Sequence, residues 1–372
     1  MTLSAQLAPL CFTICEPHLL HCLAGATAPF YKLTIELGSN KAGGFRLYVV
    51  TGGAGFIGSN IVAGLEANQA GPVVVVDRLG TDDKWRNIAK RELEDVVAPE
   101  DLFPFLNGRA GKIEAVIHMG AISSTVETNV DSLIRENFHL SLWLWQWCSA
   151  NGVPLIYASS AATYGDGAQG FRDDNSGEAL AQLRPLNPYG WSKHLFDRRV
   201  ARIVAEGNPA PPKWAGLKFF NVYGPNEYHK GSQMSVVANI FSEAKSGRPV
   251  ELFKSHHPDY ADGGQMRDFV WVDDCVAMVL GLLKSPAASG IYNCGTGKAR
   301  SFADLAATVF AALGKQPAIH YVPTPQAIRN KYQYFTQAEN TRNTLGIKAW
   351  ASLEEGVKHY VHDFLNNDDP YR

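Results

Sequence analysis

The chain has 372 residues, 46% of them hydrophobic, which is enough for one large buried core and part of a second. Its charges nearly balance at a formal net charge of −2, so there is no electrostatic basis for binding nucleic acid or an anionic membrane surface. The longest apolar stretch, 140–148, is far shorter than the ~20 residues of a membrane-spanning helix. We therefore expect no nucleic-acid partner and no membrane span.

The first 46 residues differ from the rest of the chain, because they show no clear hydrophobic period. They contain a cluster of potential metal ligands: Cys11, Cys15, His18, His21 and Cys22. The cluster lacks the regular paired spacing of a structural zinc site. The apolar run 19–28 lacks the preceding Lys or Arg of a secretory signal peptide. We expect 1–46 to be a poorly ordered extension and predict no metal site.

From residue 47 onward, short apolar runs alternate with segments of helical spacing. The runs predict strands at 47–51, 73–76, 115–118, 155–160 and 215–220, and the spacing predicts helices at 57–67 and about 130–150. The runs do not alternate with polar residues, which is typical of strands buried on both faces. Strand alternating with helix predicts βαβ units and a mostly parallel, doubly wound α/β sheet. After residue 222 the pattern is less regular, with strands predicted only at 269–272 and 291–293.

A glycine pattern, Thr-Gly-Gly-Ala-Gly-Phe-Ile-Gly at 51–58, follows the first strand. Gly52 permits a tight turn, Gly55 lets the backbone approach a pyrophosphate, and Gly58 allows close packing of helix and strand. The N-terminus of the next helix supplies N–H groups and a favourable dipole for phosphates. Asp77 ends the second strand at about the 20-residue distance expected for the ribose-binding acid. The pattern therefore predicts a Rossmann-type dinucleotide site rather than a glycine turn that binds nothing.

Three charged residues bear on the identity of the dinucleotide. Asp77 would repel a 2′-phosphate and favours NAD. Arg78 and Lys84 can neutralise that phosphate and favour NADP, although both are also typical of a solvated loop. The charges alone leave NADP and NAD open.

Tyr189 and Lys193 lie four residues apart at the start of a predicted helix, which places both on one face. A nearby ammonium and a positive nicotinamide favour the phenolate, so the tyrosine can act as a base. Ser160 ends a strand, where ligands collect in such sheets, and can bridge the substrate and the tyrosine. A Tyr–Lys pair at this spacing is common by chance, but its combination with Ser160 and the glycine turn indicates catalysis.

Together these motifs resemble the extended short-chain dehydrogenase/reductase family over about residues 47–366. Sugar dehydratases of that family carry an adjacent Asp-Glu pair where this chain has Ala161 and Ala162, which disfavours water elimination. Within the family, the segments 157–165, 220–225, 229–232, 267–270 and 332–337 resemble the 6-epimerases of ADP-glycero-manno-heptose. The stretches 229–232 and 332–337 are the more specific, because they lie in the variable substrate half.

The resemblance implies epimerisation of ADP-D-glycero-D-manno-heptose at C6″, which supplies heptose for the lipopolysaccharide inner core. NADP would take a hydride to give a transient 6″-ketone and return it to the opposite face. The family uses a lysine opposite the tyrosine, which implies Tyr189 and Lys230 as the acid–base pair. Lysine suits this role if burial and nearby cations lower its pKa. The alternative is a loop lysine that holds the diphosphate.

The resemblance also implies which residues line the ligands, and it favours NADP over NAD. Besides the glycines, the cofactor-lining residues would be Phe56, Ile57, Asp77, Arg78, Lys84, Met119, Gly120, Ala121, Ile122, Ser123, Asn137, Lys193 and Val222. The substrate-binding residues would be Ser160, Asn221, Ser232, Asn239, Phe253, Arg267 and Tyr332. Arg267 suits forked pairing with a diphosphate. Asn239 stands where the family has a histidine.

The expected organisation is a dinucleotide-binding (NADP) domain at 47–222 and a smaller mixed α/β, mainly substrate-binding domain at 223–372, with short segments returning to the sheet. Nucleotide-sugar chemistry implies a cytoplasmic enzyme, and the family implies a homo-oligomer, a pentamer in the resembled epimerases. One alternative is another nucleotide-sugar epimerase, such as a UDP-hexose 4-epimerase. Another is a non-catalytic dinucleotide sensor, which would keep the glycine turn but lose the tyrosine or the lysine.

Overall fold

The computed structural model of the chain describes residues 46–286, 289–329, 332–340 and 350–372. All of them belong to one compact unit. The extension predicted at 1–46, with its cysteines and histidines, lies outside these residues except for Arg46. Within the described ranges, no helix combines the length and the apolar character that crossing a membrane requires.

Strands and helices alternate through most of the described chain. The strands are, in chain order, β1 (Leu47–Thr51), β2 (Val73–Val76), β3 (Asp95–Val97), β4 (Ile113–His118), β5 (Leu155–Ser160), β6 (Trp214–Phe219), β7 (Asn221–Tyr223), β8 (Val250–Phe253), β9 (Met266–Trp271), β10 (Gly290–Cys294), β11 (Ala299–Ser301) and β12 (Ile319–Val322). The helices are α1 (Phe56–Ala67), α2 (Leu102–Leu106), α3 (Val130–Leu133), α4 (Leu140–Asn151), α5 (Gly177–Gln182), α6 (Pro188–Ala205), α7 (Val236–Ser246), α8 (Val272–Lys284), α9 (Phe302–Ala312), α10 (Gln326–Arg329) and α11 (Leu353–His359).

Seven of the described strands form a parallel sheet in the order β10-β6-β5-β4-β1-β2-β3. Every residue of β2 and β6 is buried, which explains the absence of alternation in their sequences. The chain moves from β1 outward to β2 and β3 and then returns to β4 on the other side of β1. Ligands bind at such a switch in direction, outside the carboxyl ends of the strands. The predicted Rossmann-type doubly wound fold is confirmed.

Two smaller sheets lie in the second half of the chain. β9 pairs antiparallel with β11 and parallel with β7, while β8 and β12 form a parallel pair. Side chains of α7, α9 and α11, such as Val237, Val309 and Val357, form a second buried core with these sheets. The run predicted as a strand at 269–272 is part of β9, except that Val272 begins α8. The piece predicted at 291–293 is β10, which lies at the edge of the large sheet.

His118, at the end of β4, makes the fold sensitive to acid. It is fully buried, with Nδ1 2.6 Å from Thr51 Oγ1 and Nε2 2.9 Å from Ser141 Oγ. Burial, aided by the charge of Lys193, lowers the pKa of His118 to about 3, whereas in the unfolded chain the imidazole has its ordinary pKa of about 6.5. Between these values only the unfolded chain binds the proton. We therefore expect the free energy of unfolding to fall as the pH decreases through this window.

Urea unfolding at about pH 7.5 and about pH 5 measures this effect. In His118→Gln the loss of stability between the two pH values should be smaller than in the wild type. His320→Gln, a matched change at an exposed position of β12, should leave it unaltered. Identical pH dependence in all three proteins would show that His118 is not responsible.

Candidate active site

The glycine turn between β1 and α1 has the geometry of an anion site. Gly52 has a φ of +64°, and a Cβ there would lie 2.6 Å from the backbone nitrogen of Gly120. A Cβ at Gly58 would overlap the carbonyl oxygen of Gly52, so only glycine lets α1 approach the turn this closely. α1 begins at Phe56 after Gly55, and no side chain caps its first N–H groups. These amides fit the pyrophosphate of a dinucleotide.

Asp77 fixes the turn from the end of β2. Its Oδ2 accepts a hydrogen bond from the backbone nitrogen of Ala54 (2.9 Å), and its Oδ1 accepts one from Lys84 Nζ (2.7 Å). Arg78 lies on the surface beside it, paired with Glu100 and 3.9 Å from Glu136. Lys84 and Arg78 thus flank Asp77, and each pairs with a carboxylate, Lys84 with Asp77 and Arg78 with Glu100.

The turn 119–123 lies beside the glycine turn, because a Cβ at Gly52 would lie 2.6 Å from the backbone nitrogen of Gly120. The backbone nitrogen of Met119 donates to Thr51 O (3.0 Å), which ties the turn to β1. Asn137 is fully buried below the turn and exchanges two hydrogen bonds with the backbone of Ile122, at 2.9 and 3.0 Å. Its amide nitrogen also donates to Ser192 Oγ in α6 (3.0 Å). The structure therefore places Asn137 as a support for the turn rather than on its surface.

Tyr189, Ser160 and Lys193 meet where β5 ends and α6 begins. The Tyr189 hydroxyl is hydrogen bonded to the side chain of Ser160. Lys193 Nζ donates to the carbonyl oxygen of Ala158 at 2.9 Å, and burial lowers its pKa to about 8. Burial raises the pKa of Tyr189, and the bond to Ser160 offsets part of this rise. The expectation that an ammonium and a bound nicotinamide favour the phenolate stays a prediction, since burial is the largest cause of the shift in the pKa of Tyr189 and the Lys193 ammonium bonds to Ala158.

A buried ion pair, which the sequence analysis missed, lies one turn beyond Lys193 on α6. Asp197 accepts hydrogen bonds from Lys218 Nζ (2.7 Å) and Ser159 Oγ (2.7 Å), and both charged side chains are at most 1% exposed. The carboxylate of Asp197 raises the pKa of Lys193 and so opposes the effect of burial. The pair fixes α6 to β5 and β6 beside the residues that meet at Ser160.

Lys230 reaches the dinucleotide turn from the loop after β7. It lies in the 3₁₀ turn Tyr228–Gln233, and its ammonium is 5.5 Å from the ring centroid of Phe56, the first residue of α1. Burial lowers the pKa of Lys230, while the carboxylate of Glu227 raises it. Glu227 anchors the loop by accepting hydrogen bonds from Ser235 Oγ (2.6 Å) and Tyr360 OH (3.0 Å). The sequence analysis missed Glu227 and its contacts.

The predicted substrate residues differ in exposure: Arg267 is buried, Phe253 and Tyr332 are half-buried, and a group of three others is exposed. Arg267 is 7% exposed, and its guanidinium lies 5.2 Å from the ring of Tyr332. Burial lowers the pKa of Arg267, and the neighbouring side chains of Tyr332 and Tyr260 oppose this effect. The ring of Phe253 is 6.5 Å from that of Tyr332. A buried cation among aromatic rings is suited to an anionic ligand such as a diphosphate.

The exposed group includes the first residue of β7 and two residues of the loop and helix that follow this strand. Its members are Asn221, Ser232 and Asn239. Asn239 donates to the carbonyl oxygen of Met234 at 3.0 Å, within its own segment. Val222 is half-buried and packs against both cores.

Several known proteins are similar to this chain. A heptose epimerase of Nitratidesulfovibrio vulgaris, named ADP-L-glycero-D-manno-heptose-6-epimerase, is 45% identical over 87% of this chain and 100% of its own length. A protein of Fusobacterium nucleatum with the same name matches with the same identity and coverage.

Solved structures agree with these relatives. The crystal structure of the Helicobacter pylori ADP-L-glycero-D-manno-heptose-6-epimerase is 27% identical with a TM-score of 0.67, and covers 85% of this chain and 95% of its own. Thermus thermophilus UDP-glucose 4-epimerase in complex with NAD is 28% identical with a TM-score of 0.62, and covers 84% of this chain and 96% of its own.

The sequence model of a protein family, described as "NAD dependent epimerase/dehydratase family", matches residues 48–295 of this chain. This range includes the glycine turn, Tyr189 and Lys230. These findings confirm the predicted resemblance. The chain belongs to the NAD-dependent epimerase/dehydratase family.

Proposed function

We propose that this chain epimerises ADP-D-glycero-D-manno-heptose to ADP-L-glycero-D-manno-heptose at C6″. The proposal is supported by the places of two titratable side chains: Tyr189 lies by Ser160 at the end of β5, and Lys230 lies beside Phe56 at the start of α1. Inversion of a carbinol carbon needs a proton acceptor or donor on each face, whereas simple oxidation needs only one. The names of the relatives at 45% identity support the same reaction.

The two groups share the proton transfers. When bound, NADP+ would accept a hydride from C6″ and return it to the opposite face of the 6″-ketone. One of Tyr189 and Lys230 takes the hydroxyl proton as the ketone forms, and the other gives a proton to the ketone oxygen as it is reduced. Ser160 orients the hydroxyl through its bond to Tyr189. Burial lowers the pKa of Lys230, which is the direction that favours a lysine acting as a general base.

The sugar nucleotide binds in the second half of the chain in this proposal. Arg267 binds the diphosphate, because its guanidinium is buried and forms no ion pair with a carboxylate among the residues that the structure describes. Phe253 and Tyr332 pack against the ligand beside it. Asn221, Ser232 and Asn239 hold hydroxyl groups.

NADP, rather than NAD, is the proposed cofactor, and Arg78 provides the test. The backbone nitrogen of Arg78 donates to Asp77 (2.8 Å), and its guanidinium pairs with Glu100, which a 2′-phosphate can replace. We expect Arg78→Ser to raise the dissociation constant for NADP about tenfold to 100-fold, which is the loss of one charge-assisted hydrogen bond. The dissociation constant for NAD should stay within about twofold.

Titration of protein fluorescence with each dinucleotide measures both constants. Arg202→Ser removes a guanidinium of similar exposure from α6 and is the matched control. An equal effect of Arg78→Ser on NADP and NAD would place the 2′-position away from Arg78.

The reaction is tested with two sugar nucleotides, each in a coupled assay. The purified protein should interconvert the two C6″ epimers of ADP-heptose and should leave UDP-galactose unchanged. Activity on UDP-galactose alone would replace the proposal with a UDP-hexose 4-epimerase. Mass spectrometry of the nucleotide retained by the protein gives the cofactor independently.

The remaining proposals concern organisation and location. We propose that 47–222 bind the dinucleotide and that 223–372 bind mainly the sugar nucleotide. The enzyme works in the cytoplasm as a homo-oligomer and supplies heptose for the lipopolysaccharide core.

A further inference from the structure

Asn87 connects the glycine turn to the loop that carries Lys230. It ends the 3₁₀ turn Asp83–Asn87 and is 1% exposed. Its amide nitrogen donates to the carbonyl oxygen of Ala54 at 2.8 Å and lies 3.1 Å from Nδ1 of His229. One buried side chain therefore bridges two segments that are far apart in sequence and adjacent to the proposed chemistry.

The contact with Ala54 determines the orientation of the Asn87 amide, because a carbonyl oxygen can only accept. The second hydrogen of the same nitrogen then points to His229, so Nδ1 of the imidazole is the acceptor. Burial lowers the pKa of His229, which keeps the ring neutral with its proton on Nε2. Asn87 thus fixes both the position and the tautomer of the residue that precedes Lys230.

The beginning of the same loop is anchored independently of the Asn87 side chain. Asn226, which has a φ of +72° and is fully buried, donates from its amide to Ser59 Oγ in α1 (3.0 Å) and to the backbone oxygen of Asn87 (3.2 Å). A change in the Asn87 side chain therefore leaves this anchor in place. Its direct effect is on Ala54 and on His229, the residue that precedes Lys230.

We propose that Asn87 is a positioning residue that couples the dinucleotide turn to Lys230. The proposal rests on the proposed function, which assigns Lys230 to acid–base chemistry. Ala54 lies between Gly52 and Gly55, in the turn that receives the phosphates. When a dinucleotide orders this turn, it also fixes Asn87, and the same amide nitrogen of Asn87 then holds His229 in place. Dinucleotide binding thereby sets the position of Lys230 beside Phe56.

Asn87→Asp tests the bridge with almost no change in shape. A carboxylate oxygen replaces the amide nitrogen, so it repels Ala54 O and cannot donate to His229. In the wild type, saturating NADP+ (or NAD+, whichever binds tighter) should slow hydrogen exchange of the backbone amides at 228–235. In Asn87→Asp we expect weaker dinucleotide binding, because the new carboxylate repels Ala54 O and the phosphates, and no slowing of exchange in this segment even when the protein is saturated.

Steady-state kinetics give the second measurement. We expect kcat for ADP-heptose epimerisation to fall about tenfold to 100-fold in Asn87→Asp with an unchanged KM, as for a displaced catalytic group. The pH profile should also shift, because a carboxylate beside His229 favours the imidazolium ion. A purely structural role would lower stability without moving the pH profile or separating kcat from KM.

Two further variants keep the test decisive. Asn293→Asp is the matched control, since this buried asparagine in β10 also donates from its amide to backbone oxygens, those of Phe171 (2.6 Å) and Glu339 (3.1 Å). It should keep the exchange response and the kcat of the wild type. His229→Phe breaks the bridge from the other side and should abolish the exchange response, and the double variant with Asn87→Asp should lose nothing more.

The coupling is overturned if the dinucleotide slows exchange at 228–235 equally in Asn87→Asp and wild type, or if the wild-type segment does not respond to the dinucleotide. The exchange measurement needs no sugar nucleotide. A protein that shows the coupling but does not epimerise ADP-heptose would therefore refute the proposed function alone.

Discussion

Tyr189→Phe and Lys230→Met are each expected to lower kcat for ADP-heptose epimerisation by about 10²- to 10⁴-fold, the usual contribution of a general acid–base group. Phenylalanine keeps the ring of Tyr189 but removes the hydroxyl that bonds to Ser160. Methionine keeps most of the length of Lys230 but removes its ammonium. The dissociation constant for NADP should change by less than about threefold in either variant.

The two variants should differ in which epimer they still oxidise. If Tyr189 and Lys230 serve opposite faces of the carbon, each variant lacks the base for only one epimer. In single-turnover mixing with each pure epimer, the absorbance of the reduced nicotinamide should appear with one epimer in Tyr189→Phe and with the other in Lys230→Met. Loss of the same epimer in both variants would place both groups on one face.

Lys230 also has an alternative role as a ligand of the diphosphate, which predicts a different result. In that case Lys230→Met would raise KM and leave kcat near the wild-type value. Tyr223→Phe and Lys245→Met are matched controls, because Tyr223 is a buried tyrosine of β7 and Lys245 is in the last turn of α7. Both controls should retain turnover within about twofold of the wild type.

The large sheet could be predicted because its signals are local. β1, β2 and β5 are runs of consecutive apolar residues, and the structure places them at the predicted bounds. The glycine turn is equally local, since its spacing alone specifies the tight turn and the close approach of α1. β3, by contrast, has two exposed residues in three, and it was missed because it lacks an apolar run.

The supports of the candidate site could not be predicted, because they join segments that are distant in sequence. Asn87 contacts both Ala54 and His229, and nothing in the local pattern around Asn87 indicates either partner. Asn137 was predicted to line the cofactor on the basis of resemblance, and its place below the turn is visible only in the structure. Lys218 is an exception, because a lysine inside an apolar strand indicates from the sequence alone that a buried partner must neutralise it.

Asp197, the partner of Lys218, affects both the stability of the fold and the pKa of Lys193. Lys218 Nζ donates to Asp197 Oδ2 (2.7 Å) and to Thr163 Oγ1 (2.6 Å). Asp197→Ala leaves a buried ammonium without its counter-ion, and we expect it to lower the free energy of unfolding by about 3–5 kcal/mol. The double variant Asp197→Leu with Lys218→Met removes both charges and should be less destabilised than Asp197→Ala. Urea denaturation monitored by circular dichroism measures all three proteins.

Glu206→Ala is the control, because its pairing with Arg202 is exposed and should contribute less than about 1 kcal/mol.

Asp197→Asn removes the charge of this side chain and keeps its shape, so it tests the effect of the carboxylate on Lys193. Asp197 raises the pKa of Lys193, so its neutralisation should lower that pKa further below about 8. If catalysis needs the Lys193 ammonium, activity in Asp197→Asn should decline at a lower pH than in the wild type. If activity declines at the same alkaline pH in both proteins, catalysis does not require the charge of Lys193. The Asp197 carboxylate would then contribute to stability alone.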